Sequence, residues 1–342
     1  MADVAARVDL EAVPCPLCDA PAVTPRAWLR DVALGVPGDF ALARCTACGL
    51  WQQNPRVRAD QLDRVYPDDY PRHTGDPQLP RLLREAGPAV RWALATQLGY
   101  RHLDVAATRA AERLAARLLR RRIAEQFPPW TGRGRLLDVG CATGTFMRTM
   151  HAVGWQVSGI EIDAAAAAKA RTVTPDVFVG DPLDAPFEPA RFDVVTSFHV
   201  VEHLTRPRQA LARMLGWLAR DGLLIVEVPN VGGLGGRLFG RYWSGLDFPR
   251  HLVHFTPATM QSMVERAGGR VVATRHRTKS RWLIRSVRHW LRDQRPRAAR
   301  AALAALDSRP GGELLKLGLD LVLPAVRRAG LGEMVQYVIR RR

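Results

Sequence analysis

Through the middle of the chain, apolar residues gather into short unbroken runs that alternate with stretches of helical period. Leu136, Leu137 and Val139 form one such run, apolar on both faces as in a buried parallel strand. A helical pattern follows over 145–152 and a second strand pattern over 156–162. The alternation continues with a helix over 164–172 and strands over 176–181, 192–199 and 223–228. Thr256-Pro-Ala-Thr opens another helix, with Pro at its first position, that runs to Ala267 and stops at Gly268-Gly269. A sixth strand over 270–274 and a last one over 333–339 are separated by a long helical stretch. Strands and helices in alternation predict an α/β fold, a Rossmann-like sheet clad by helices.

The first strand runs into Asp138-Val-Gly140-Cys-Ala-Thr-Gly144, and the second carries Glu161 at its end. A turn of small residues lets a ligand press against backbone N–H groups at a helix start. An acid closing the second strand suits the two hydroxyls of a ribose. This is a nucleoside-binding pattern. The dinucleotide fingerprint G-x-G-x-x-G is excluded, because Ala142 stands between the two glycines and bulky Phe146 follows them. Asp138 would repel a pyrophosphate, whereas an ammonium and a sulfonium would be attracted to it.

The stretch resembles motif I, D-x-G-x-G-x-G, of class I S-adenosylmethionine-dependent methyltransferases, with Ala142 in place of the middle glycine. The resemblance implies a seven-stranded methyltransferase sheet with S-adenosylmethionine as cofactor. It sets Asp138, Gly140 and Gly144 at the methionyl part, Glu161 at the ribose, Asp181 at the adenine, and His199 beside the cofactor. Pro182 lacks an N–H, which would shift adenine ring contacts to Leu183.

Cys15, Cys18, Cys45 and Cys48 form two C-x2-C knuckles, suited to one tetrahedral structural Zn²⁺, while Cys141 lies in the glycine turn. The layout of zinc knuckles, Asn54-Pro55, a Tyr66–Tyr70 segment and then motif I resembles bacterial methyltransferases with an N-terminal zinc ribbon. That grouping implies a saccharide or lipid-linked glycan as acceptor. Tyr66 and Tyr70 line an acceptor pocket or pack the seam behind it. The expected organisation is a zinc-ribbon module over 1–75 and a basic helical linker over 76–127. The methyltransferase core takes 128–279, a helical insertion 280–330, and the final strand 331–342.

With 50 Lys and Arg against 33 Asp and Glu, the net charge of +17 favours polyanions, unless the arginines only solvate helix faces. The linker carries many of them, among them Arg81, Arg84, Arg91, Arg101, Arg109, Arg113, Arg117, Arg120, Arg121 and Arg122. No apolar run approaches a membrane span, and the first residues carry acids without an apolar core. The expected location is the cytoplasm, with peripheral contact at the inner face of the membrane through 280–330. In that segment basic helices surround the apolar 314–324 stretch, unless it caps the sheet edge or meets a second copy.

The fourth strand leads into His199-Val-Val-Glu202-His203. The string fits an inverted zinc-peptidase motif only if helical, and His199 belongs to a strand end. It also resembles a string in methyltransferases of the ubiquinone pathway and of small-RNA 3′ ends, which hold a divalent cation; His199 replaces their first acid. Glu202, His203 and His251 or His254 are candidate divalent-cation ligands; alternatively one histidine, among them His199, His203 and His254, is a general base for an acceptor hydroxyl, or Glu202-His203 caps the following helix. The glycine pairs Gly232-Gly233 and Gly235-Gly236 suggest a mobile loop over the acceptor. RNA and quinone-like molecules are alternative acceptors, and a zinc-ribbon binding protein with an inactive nucleoside fold is the non-enzymatic alternative.

Overall fold

The computed structural model describes residues 8–21, 24–66, 87–106, 108–294 and 296–342. Near the N-terminus, β1 (Leu10–Glu11), β2 (Pro25–Leu29), β3 (Phe40–Arg44), β4 (Trp51–Gln53) and β5 (Arg56–Val57) surround the cysteine knuckles. Helices α1 (Gly87–Gln97) and α2 (Ala110–Gln126) lead into β6 (Arg135–Val139), α3 (Thr145–His151), β7 (Gln156–Glu161), α4 (Ala164–Ala170) and β8 (Val177–Val179). Next come β9 (Phe192–Phe198), α5 (Pro207–Gly216), β10 (Leu218–Pro229), α6 (Leu234–Phe239), β11 (Val253–His254), α7 (Pro257–Arg266) and β12 (Gly269–Arg277). The chain closes with α8 (Ser280–Asp293), α9 (Arg297–Asp307), α10 (Arg309–Arg328) and β13 (Met334–Arg341).

Seven strands form one sheet in the order β12-β13-β10-β9-β6-β7-β8. The strands from β8 to β10 are parallel, and β13 inserts antiparallel between β10 and β12. Leu136, Leu137 and Val139 are fully buried, because helices cover both faces of the sheet. The strand order reverses between β6 and β9, so a crevice opens at their C-terminal ends, where open α/β sheets bind ligands.

The cysteine knuckles lie against the main body. Strand β11, from the far side of the core sequence, pairs with β4 and completes the sheet β11-β4-β3-β2. Cys15, Leu17, Cys45 and Leu50 pack in one apolar cluster with Leu211, Leu252 and Phe255 of the main body. Polar ties accompany the packing: Arg208 of α5 holds Asp19 at 2.8 Å, and buried Arg250 holds Asp31 at 2.7 Å.

The expected linker contains two helices. Gly99, at φ +82°, ends α1, and the Tyr100 N–H returns to the Leu94 carbonyl. Tyr100 is then buried, its hydroxyl donating to the Pro128 carbonyl and accepting from the Trp155 indole. Helix α1 buries Ala89, Val90, Ala93 and Leu94 beneath its polar face. Tyr70, Arg81 and Arg84 lie outside the described residues. The 280–330 insertion is three helices with a small core of Ile284, Leu291 and Leu306.

Candidate cofactor and acceptor site

The turn after β6 needs its glycines. Gly140 has φ +77°, and a Cβ there would stand 2.2 Å from Val200 Cγ2. Gly144, at φ +78°, caps α3 where a Cβ would meet the Ala170 backbone at 3.0 Å. Ala142 also takes a left-handed conformation, φ +49°, which costs a non-glycine residue free energy. Its N–H donates to Glu161 Oε2 at 2.8 Å, and the Asp163 N–H donates to Oε1 at 3.0 Å. Glu161 is therefore fixed at the turn, and each oxygen keeps acceptor capacity for a ribose hydroxyl.

Asp138 is 4 % exposed and accepts from the Thr196 hydroxyl at 2.7 Å. Burial, opposed by that hydrogen bond and aided by the nearby Glu161 charge, pushes its carboxyl up to about 7. Two carboxylates in such a place favour a cationic ligand, and an ammonium beside a sulfonium fits them. Asp181, at the end of the next crossover, is half-buried, and its Oδ1 accepts from the Leu183 N–H at 2.8 Å. The Leu183 donor that the missing Pro182 N–H was expected to pass to an adenine is thus engaged in its own turn.

Beyond β9 the chain turns at His199, whose φ is +58°. Its ring lies between two buried carboxylates, with Nδ1 3.4 Å from Glu202 and Nε2 3.4 Å from Glu227. Burial works against the charge, but the carboxylates prevail and raise His199 to about 9. His199 is therefore an imidazolium at neutral pH, a charge to orient against rather than the base that was one expectation. Glu227 is ion-paired to Arg277 on its other side. No motif surrounds Glu227, and its only signal in the sequence is an acid near the end of the apolar Leu-Leu-Ile-Val-Glu run.

Glu202 and His203 sit in a short 3-10 turn that does not cap α5, whose N-cap Arg206 makes no side-chain cap bond. The Leu252 N–H donates to the Glu202 carbonyl instead, tying this turn to the 245–254 segment. His203 Nδ1 lies 3.1 Å from the Arg250 carbonyl, and His251 Nδ1 lies 2.9 Å from the Gly245 carbonyl. A carbonyl only accepts, so both protons sit on Nδ1 and both Nε2 lone pairs are left over. The Tyr66 hydroxyl lies 2.9 Å from His203 Nδ1, closing this side. Burial and the neighbouring His251 lower His203 to about 4, so it is neutral. Ligand atoms of Glu202, His203 and His251 lie within 4.8 Å of one another, and among the described residues the Glu202 carboxylate has His199 as its side-chain ion-pair partner.

His254 is 3 % exposed on β11, stacked on Phe248 at 5.2 Å, in the seam with the cysteine-bearing sheet. It packs that seam, with its ring centroid 6.3 Å from that of His251. Gly232-Gly233 form the turn that opens α6, with Gly233 as its N-cap, and Gly235-Gly236 lie inside that helix, where a Cβ on Gly235 would stand 2.2 Å from Glu333 Oε2. The Gly235 N–H and Trp243 indole both donate to that buried carboxylate at 2.6 Å. Trp282 of α8 lies beside His199, with ring centroids 5.5 Å apart.

The four knuckle sulfurs converge, with Cys15–Cys48 at 3.5 Å and Cys18–Cys45 at 3.6 Å. Tetrahedral zinc–thiolate bonds of about 2.3 Å set sulfurs roughly 3.8 Å apart, so the four residues fit a Zn²⁺. Burial opposes ionisation of Cys45, but the backbone N–H groups of Cys48 and Ala47 bring it down to about 7.

Residues 109–274 match the family model described as a methyltransferase domain. Over those residues, just under half of its length, the chain carries a methyltransferase domain. A "probable S-adenosylmethionine-dependent methyltransferase" of Mycolicibacterium smegmatis is 27% identical over 186 residues, 53% of this chain and 62% of that protein. A ubiquinone biosynthesis O-methyltransferase of Glaesserella parasuis is 28% identical over 28% of this chain and 45% of its own length. The chain thus spans less than two thirds of these relatives. Among solved structures, a SAM-dependent methyltransferase from Archaeoglobus fulgidus is 20% identical, with a TM-score of 0.42 over 67% of this chain and 94% of that one. In the methyltransferase domain the reversal of strand order sits at Asp138, and β13 is the antiparallel seventh strand.

Proposed function

We propose that the protein transfers the methyl group of S-adenosylmethionine to a hydroxyl of a saccharide or lipid-linked glycan. The cofactor supplies an electrophilic methyl on a sulfonium. Asp138 and the Gly140–Gly144 turn would hold its methionyl end, Glu161 the ribose and Asp181 the adenine. The observation that carries hydroxyl transfer is His203: its Nδ1 proton is pinned by the Arg250 carbonyl, and it is neutral. Nε2 then holds the free lone pair toward which a hydroxyl proton would move; the fixed tautomer supports this role, while burial makes His203 a weak base that relies on alignment. Trp282, half-buried beside His199, offers an apolar ring face to a sugar, while the His199 imidazolium offers a hydrogen-bond donor.

The convergence of Glu202, His203 and His251 favours a second reading of the same site. A divalent cation there would ligate two Nε2 atoms and the carboxylate, with each imidazole's other nitrogen fixed by a backbone carbonyl as in metal sites. Metal content separates the two readings. Metal retained by a His251→Ala variant at the wild-type level would be that of the cysteine knuckles alone, and the base reading would stand.

Transfer of label from methyl-labelled S-adenosylmethionine into a fractionated lysate of the source cells tests the acceptor. Label in the saccharide or lipid fraction, lost in His203→Ala, is the expected result. Label in RNA or in a quinone would replace the glycan acceptor. Binding of S-adenosylhomocysteine without turnover on any fraction would favour a binding protein.

A further inference from the structure

Helix α10 has two apolar faces, and only one is used. Leu319 packs toward the insertion's own core and Leu323 is buried. Leu314, Leu317 and Leu321, at 70%, 62% and 76% exposure, form a second stripe one turn apart, with Val322 at its border. Glu313, Lys316 and Asp320 lie along a third side. Among the described residues no packing accounts for three adjacent leucines left in water at this level.

The surroundings are basic. Between residues 280 and 330 the sequence has eleven Lys and Arg against four Asp and Glu. Four arginines of α8, Arg281, Arg285, Arg288 and Arg292, follow the i, i+4, i+7, i+11 spacing of a single helix stripe. Arg288 pairs with Asp307 at the end of α9 at 2.8 Å. That pair ties the arginine stripe to the corner where α10 begins, about two helical turns before Leu314.

We propose that residues 280–330 are an interfacial docking surface for an anionic membrane, with the Leu314–Leu317–Leu321 stripe in the acyl boundary and the α8 arginines on lipid phosphates. The charge selects this occupant. A second copy would bring two strongly positive units together, whereas anionic headgroups neutralise them and the leucines gain an apolar phase. Among the described residues no helix is long and apolar enough to cross a membrane, so the contact is peripheral. Since α8 also supplies Trp282, docking would set that ring near the membrane surface. The inference does not depend on which acceptor is methylated.

The test is flotation of the full chain with phosphatidylcholine vesicles, with and without about a third phosphatidylglycerol. The wild type is expected to float with the anionic vesicles only. The triple variant Leu314→Gln, Leu317→Gln, Leu321→Gln is expected to stay at the bottom with unchanged melting temperature and S-adenosylhomocysteine affinity. Arg285→Gln with Arg292→Gln should weaken anionic binding on the order of 30-fold. Wild type that fails to float, or a triple variant that still floats, overturns the proposal. So does a dimeric wild type, measured by light scattering, that the triple variant converts to monomer without any vesicle binding.

Discussion

Two side chains in the site carry charges displaced by their surroundings, and each displacement has a measurable sign. Asp138 ionises only near pH 7 in the cofactor-free protein, because burial disfavours its charge. A cofactor ammonium gains from the carboxylate and not from the neutral acid. Affinity for S-adenosylhomocysteine should therefore rise between about pH 5.5 and 7.5, and Asp138→Asn should flatten the profile. Isothermal calorimetry across that range checks this. For His199 the folded value, about 9, lies above the ordinary histidine value. Its pairing with Glu202 and Glu227 thus stabilises the fold fully below about pH 6.5 and is lost as pH rises through about 9. Urea unfolding of wild type should weaken across this window, and His199→Gln should remove part of the slope.

At the scale of elements, the 245–254 segment joins the two sheets. It contributes β11 to the cysteine-bearing sheet, and its carbonyls fix the tautomers of His203 and His251. Arg250 anchors it, fully buried and bonded to Asp31, Asp247 and the Val65 and Phe248 carbonyls. Removing one partner of a buried ion pair leaves the other charge uncompensated, at a cost of about 3–5 kcal/mol. Arg250→Ala should lower unfolding stability by that amount, read from the urea midpoint at constant slope. A change under about 1 kcal/mol would mean that the segment is held by its apolar contacts instead.

For the whole molecule, the cysteine knuckles and the main body share one apolar cluster. Removal of metal should then lower the stability of everything. Chelation, or Cys45→Ser, is expected to shift a single calorimetric transition and to weaken S-adenosylhomocysteine binding together with it. Two transitions, the later one unmoved by chelation, would show that the knuckles unfold alone.

Much of this protein is local, and what is local was legible. The βα alternation follows from runs of apolar residues, and the turn at Gly140 and Gly144 follows from backbone conformations that side chains resist. The C-x2-C spacing places two sulfurs on one ion by itself. Other features depend on residues far apart in the chain. Arg250 meets Asp31 across 219 positions, and Glu333 meets Gly235 across 98, so no spacing rule announces either. The same holds for His254, which the motif suggested for chemistry and the seam buries, and for Glu227, one acid in an apolar strand until His199 folds against it. Sequence period fixes which face of a helix is apolar. Only the packed structure decides whether that face is covered, as it is on α1, or left open, as it is along Leu314, Leu317 and Leu321.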